Sequence, residues 1–182
     1  MEKHSSRTIW TIGHSTRMLE DFVEMLKAFG IEILADVRGY PGSKKFPQFN
    51  KENLAESLLT NKIEYVHILR LGGRRKVKKD SRNTGWRNPS FRGYADYMET
   101  KYFQKGIEEL IEIAQKRRTA IMCSEAVWWK CHRSMIADYL KLNGWTVMHI
   151  MDKLKADEHP YTQPARIADG KLNYAGDESS FI

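Results

Sequence analysis

Thr119-Ala120-Ile121-Met122-Cys123-Ser124-Glu125-Ala126-Val127-Trp128-Trp129-Lys130-Cys131-His132-Arg133 decides how the whole 182-residue chain is read. Ile121 to Cys123 is an apolar run that predicts a buried strand. A loop with Glu125 and two tryptophans follows. Cys131-His132-Arg133 then opens a helix whose apolar positions are Met135, Ile136, Tyr139 and Leu140, and Asn143-Gly144 stops it. One strand–loop–helix unit therefore carries a thiol, a carboxylate, an imidazole and a guanidinium. Ligands of open α/β sheets bind beyond the carboxyl ends of strands, so function is expected here.

Similar units lie on both sides. Thr8 to Ile12 reads as a first strand, turned by Gly13-His14-Ser15-Thr16. Phe22, Met25, Leu26 and Phe29 recur at helical spacing, with Ser15 or Thr16 as the expected cap and Gly30 as the stop. Ile31 to Val37 is a nearly continuous apolar run, suited to a strand covered on both faces. A Pro/Gly-rich loop leads to a helix over Lys51 to Thr60, with Asn50 as its cap. Ile63 to Ile68 is a third strand and Trp145 to Ile150 a fifth; a long helix from Ala95 to Arg117, with a break near Gly106, comes before the fourth. Residues 1–7 read as a frayed start. From Met151 on, the polar composition predicts a loose tail, with at most one short helix and Tyr174 to pin it. The alternation predicts one three-layer α/β domain over 1–182, with a core at about 8–152. Its sheet is mainly parallel and five-stranded, with helices on both faces.

Composition narrows the classes. No apolar run approaches the roughly 20 residues of a membrane span, and the start lacks a secretory signal, so a cytoplasmic location is expected. Two cysteines are too few for a disulfide scaffold and read as thiols. The formal net charge is +7 and the pI about 9.4, favouring anionic partners. Much of the excess falls in one segment, 70–92, from Arg70 through Arg74-Arg75-Lys76 to Arg92. A segment this long without a hydrophobic period is usually functional or disordered. Trp86, Phe91 and Tyr94 among its later charges argue against disorder and suit base stacking. An anionic small molecule or a nucleic acid is therefore the expected partner. Neither a cofactor nor an oligomeric state follows from the sequence.

A parallel sheet would gather the strand ends on one edge. His14 and Ser15 follow the first strand, Asp36 and Arg38 the second, and Gly72, Gly73 and Arg74 the third. Cys123 and Glu125, then Cys131-His132-Arg133, follow the fourth; the fifth contains His149 and is followed by Asp152. These blocks resemble domain-of-unknown-function family 488: Thr11-Ile12-Gly13-His14-Ser15, Asp36-Val37-Arg38 with Pro41 and Ser43, Leu71-Gly72-Gly73, and Cys123-x-Glu125 before Cys131-His132-Arg133. The resemblance runs from about Thr8 to Asp152. Val127-Trp128-Trp129-Lys130 stands where that family usually has a proline between the cysteines. Asp36-Val37-Arg38 and Cys123 before Arg133-Ser134 bear a weaker likeness to rhodanese sulfurtransferases, which implies sulfur transfer as an alternative chemistry.

Cys131, expected in the first turn of its helix beside Arg133, is the first candidate nucleophile, because unpaired N–H groups and positive charge favour a thiolate there. Cys123 is the second, unless it is only packed in the core. Glu125, His14 and His132 are candidates for proton transfer, and His14 could instead brace its loop. Ser15, Asp36, Arg38, Gly72, Gly73, Arg74 and Arg133 are candidates for holding an anion, through guanidinium forks and close backbone approach. Asp36 and Arg38 could equally pair with each other. The two cysteines with His14 or His132 could make a soft metal site, but the short paired spacing of a zinc ribbon is missing, so no metal is assigned. The sequence thus supports an enzyme on a phosphate-bearing anion, by hydrolysis or group transfer, or a nucleic-acid-binding module without catalysis.

Overall fold

A computed structural model describes residues 7–176; residues 1–6 of the expected frayed start, and the last stretch, 177–182, lie outside the described residues. Five parallel strands form the sheet: β1 Thr8–Gly13, β2 Ile33–Asp36, β3 Glu64–His67, β4 Thr119–Cys123 and β5 Thr146–Ile150. A sixth, β6 Ala156–Glu158, adds antiparallel to β5, giving the order β3-β2-β4-β1-β5-β6. The five-stranded expectation was therefore one strand short, and the sheet is mixed.

The central strands are buried on both faces, as their near-continuous apolar runs require. Trp10, Ile12, Leu34, Ala120 and Met122 pack on α1 Leu19–Ala28 and α2 Lys51–Thr60. Ile9, Ala35, Ile121, Cys123 and Val147 pack on α3 Pro89–Met98, α4 Lys101–Lys116 and α5 Arg133–Leu142. The faces follow from the strand order. From β1 to β2 to β3 the chain steps one way across the sheet, and from β3 to β4 to β5 it steps back. Crossovers of one hand must change faces when the direction reverses. The loops after β1 and β2 therefore leave to one face and the loop after β4 to the other. That divergence opens a crevice at the carboxyl end of β4.

Several local expectations change. The expected long helix is two, because Asn88-Pro89 starts α3 and Thr100 Oγ1 accepts the Phe103 N–H to start α4. Gly106 stays helical, and a Cβ there would lie 2.9 Å from Arg70 and Leu71 side-chain atoms. Asn50 precedes α2, but its side chain accepts the Ser43 N–H. Met18 precedes α1, so neither Ser15 nor Thr16 caps it. Beyond Met151 the chain is not loose. After β6 comes a hairpin of β7 Arg166–Ala168 and β8 Lys171–Asn173, turned at Asp169-Gly170 with both φ angles positive.

A buried polar chain fastens this C-terminal part. Asp138 on α5 accepts from Thr162 N (2.8 Å), Thr162 Oγ1 (2.6 Å), Tyr174 OH (2.9 Å) and His159 Nε2 (2.9 Å). His159 Nδ1 then accepts from His149 Nε2 at 2.9 Å, and His149 Nδ1 accepts from Thr11 Oγ1 at 2.7 Å. Trp128 stacks on the His149 ring with centroids 4.5 Å apart. Burial, with His159 and Arg133 nearby, holds His149 down to about 2. Unfolded, the ring would titrate near 6.5. The folded state therefore binds fewer protons, and this stability is present above about pH 6.5 and lost as pH falls towards 2. We expect up to about 2 kcal/mol to be lost by about pH 5. Urea midpoints at about pH 7.5 and pH 5 check this; a drop that stays as large in His149→Gln would count against it.

Candidate functional site

The crevice at the end of β4 is a cleft of about 630 Å³. Register puts Cys123 beside Gly13 of β1, and Met122 beside Asp36 of β2. His14 and Ser15 continue that pairing through backbone bonds to Cys123 O (3.1 Å) and Ser124 O (2.8 Å). The structure therefore brings His14, Ser15, Arg38, Gly73, Arg74, Cys123, Glu125, Cys131 and His132 to one cleft. His149 and Asp152 are not part of it: His149 belongs to the buried chain above, and Asp152 accepts the Leu154 N–H.

Cys123, Cys131 and His132 form its floor. His132 Nδ1 lies 3.8 Å from Cys123 Sγ and 3.7 Å from Cys131 Sγ. Its Nε2 is 3.0 Å from the Val37 carbonyl, which can only accept, so Nε2 carries a proton and Nδ1 is the nitrogen left to exchange one with the sulfurs. Gly73 makes this ring position possible, since a Cβ there would lie 2.8 Å from Nδ1. Against the cost of burial, the neighbouring Cys131 side chain, His132 and Arg133 hold Cys123 well below the ordinary thiol range. Burial and the neighbouring Cys123 sulfur push Cys131 well up. Cys131 precedes α5, and the Arg133 N–H reaches its Sγ at 3.5 Å. The surroundings thus favour the thiolate at Cys123 and disfavour it at Cys131.

A rigid wall stands beside them. Arg38 donates Nε (3.0 Å) and Nη2 (2.6 Å) to buried Asp36, a second Nη2 bond to Phe49 O (2.9 Å), and Nη1 to His14 Nε2 (3.2 Å). Tyr65 donates to Asp36 at 2.6 Å, and burial beside that carboxylate pushes its hydroxyl up, so it remains a donor. His14 donates Nδ1–H to Ser15 O at 2.9 Å and stacks on Phe49 with centroids 4.4 Å apart. Burial keeps it neutral by lowering its pKa. With both ring nitrogens engaged, His14 braces the loop rather than offering a free base. Arg38 has one N–H left over from these contacts.

Other candidates are placed differently from one another. Arg133 is buried and gives Nη1 to Glu125 O (2.6 Å) and Nη2 to Ala126 O (3.1 Å), so its guanidinium clamps the loop. Gly72 packs against Gly39, where a Cβ would meet Cα at 2.9 Å. The Glu125 side chain is exposed at the cleft edge. Arg74 is exposed, with positive φ, and lies 5.8 Å from the Tyr40 ring. Lys130, Asn88, Ser90 and Phe46, which the sequence reading did not single out, also line the cleft, as does Phe91, which it offered for base stacking.

The basic segment is packed rather than disordered. Asp96 accepts from Lys78 N, Ser81 Oγ and Asn83 Nδ2 at 2.8, 2.6 and 2.8 Å, and Trp86 stacks on Phe91. Arg75 covers the Tyr97 ring at 3.7 Å. Arg74, Lys76, Lys79, Arg82 and Arg87 remain exposed.

Fold and cleft together define an α/β protein with a cysteine–histidine centre at the carboxyl edge of a parallel sheet. The family model "Domain of unknown function DUF488" matches residues 18–140, more than half of the chain, and the chain belongs to that family. The Thr11–Ser15 block precedes the matched span, while the blocks around Asp36, Gly72 and the two cysteines fall inside it. No curated protein and no solved structure matches the chain, and the rhodanese likeness gains no support. Among the described residues no helix is long and apolar enough to cross a membrane.

Proposed function

We propose that the protein is a cytoplasmic enzyme acting on an anionic, phosphate-bearing substrate, a nucleotide or nucleic-acid end, by hydrolysis or group transfer. The observation that carries this is the meeting of the Cys123–Cys131–His132 floor with Arg38, Arg74 and Lys130 in one cleft. Cys123 is the nucleophile. His132 Nδ1 takes its proton, and the Cys131 thiol hydrogen-bonds the resulting thiolate. Glu125, at the mouth, protonates the leaving group or draws a proton from water. Arg74, Lys130 and the free Arg38 N–H hold the phosphate, and Tyr40, Phe46 and Phe91 offer rings for a base.

The exposed cations of the packed 70–92 segment favour a second reading, a nucleic-acid binder without catalysis. One panel of phosphate esters and short oligonucleotides separates the two. On the enzyme reading, Cys123→Ser lowers turnover at least about a thousandfold while the ligand still binds. Arg74→Gln with Lys130→Gln weakens binding about tenfold and flattens its salt dependence. If no panel member turns over, and replacing Lys76, Lys79, Arg82 and Arg87 alone removes oligonucleotide binding, the binder reading stands.

A further inference from the structure

We infer that Cys123, Cys131 and His132 form a binding site for one thiophilic divalent cation of the zinc class, which closes the centre to thiol chemistry while it is bound. The three donor atoms lie within 4.8 Å of one another. Zinc sits about 2.3 Å from sulfur and about 2.0–2.1 Å from imidazole nitrogen, so tetrahedral coordination separates sulfur and nitrogen by about 3.6 Å. The observed separations are 3.8 and 3.7 Å. Both sulfur–nitrogen separations are therefore within about 0.2 Å of what a tetrahedral cation requires.

The surroundings suit a metal as well. The lone pair facing the sulfurs belongs to Nδ1 because the Val37 carbonyl holds the Nε2 proton at 3.0 Å. A ligating histidine is commonly oriented in this way. The Arg133 N–H at 3.5 Å from Cys131 Sγ is a donor to a ligand sulfur. Two thiolates and one neutral imidazole cancel the dication, so a buried floor carries no net charge once it is bound. The Arg133 guanidinium is held by the Glu125 and Ala126 carbonyls. Of the two histidines the sequence offered, His14 is committed to Ser15 and Arg38 at both nitrogens and cannot serve.

Three protein ligands leave the fourth position facing the cleft, which all three residues line. A structural zinc site is closed by four ligands; an open position admits water, substrate or a competing ligand. A bound cation would therefore keep one position open to water or a competing ligand. Binding forms two metal–sulfur bonds and releases any remaining thiol protons to solvent. This goes beyond the proposed chemistry, because a metal-bound sulfur and a free nucleophilic thiolate exclude each other.

The test uses the full chain, stripped of metal with a chelator and titrated with cobalt(II). We expect a near-ultraviolet thiolate-to-cobalt absorption band that saturates at one equivalent. Alkylation of Cys123 should slow at least about tenfold as the band grows, and Cys131→Ser and His132→Gln should each weaken cobalt binding at least about tenfold. Circular dichroism identifies a variant that fails to fold; if neither variant folds, the presence or absence of the one-equivalent band in the unaltered protein decides. A folded protein without the band, or a band unchanged in both folded variants, overturns the site. Alkylation of metal-free Cys123 reads the nucleophile separately: fast labelling without a cobalt band removes only the metal, and slow labelling with the band removes only the nucleophile.

Discussion

Gly13→Ala lowers stability by about 3 kcal/mol or more, about 10 °C in Tm for a chain of this size. Gly13 is the last residue of β1, beside Cys123. A Cβ there would fall 1.8 Å from the Glu125 carbonyl oxygen and 2.6 Å from its carbon. Both are backbone atoms, so no side chain can swing aside. The oxygen also accepts the Arg133 Nη1 bond at 2.6 Å. Moving it would strip a buried guanidinium of a partner, which adds to the overpacking. The displaced segment is the loop between Cys123 and Cys131, so any folded fraction would also carry a disturbed centre. Gly42→Ala is the control: nothing lies within 4 Å of its added Cβ, and we expect a change within about 0.5 kcal/mol. Thermal and urea unfolding measure both. Equal stability of the two variants would mean that the loop does not rest on β1 as described.

The cleft was legible because its parts sit at the ends of apolar runs. Once the strands are parallel, His14, Arg38 and Cys123 must share an edge, and the order β2-β4-β1 makes them neighbours. The roles within the cleft were not legible, because they depend on atoms from distant segments. The Val37 carbonyl fixes the His132 tautomer, and Gly73 admits its ring. Arg38 was expected either to grip an anion or to pair with Asp36, and most of its donors go to Asp36, Phe49 and His14. His149 was grouped with the cleft because it closes a strand. Its side chain instead meets Thr11 and the C-terminal part, on the face that packs α5.

Some missed signals were present. Asn88-Pro89 and Thr100 mark two helix starts, and Asp169-Gly170 marks a hairpin turn. The strands around that turn are three residues long and largely exposed, so no apolar alternation announces them. The inward side chains of the C-terminal part are His159, Thr162 and Tyr174, which Asp138 holds by hydrogen bonds. A reading based on hydrophobic periodicity passes over an anchor of that kind.

The second large effect concerns the sulfur. In metal-free protein at neutral pH, Cys123 should alkylate at least about tenfold faster than Cys131, because its neighbours favour the thiolate and burial suppresses the other. Negatively charged iodoacetate should gain on neutral iodoacetamide relative to a free thiol, since Arg74, Lys130 and the remaining Arg38 donor face the approach. The deciding measurement is residue-resolved labelling by peptide mass spectrometry, with and without inorganic pyrophosphate. The account predicts early labelling at Cys123, protection by pyrophosphate, and loss of that protection in Arg74→Gln with Lys130→Gln. Labelling at Cys123 that is as slow as at Cys131 and indifferent to the anion would contradict it.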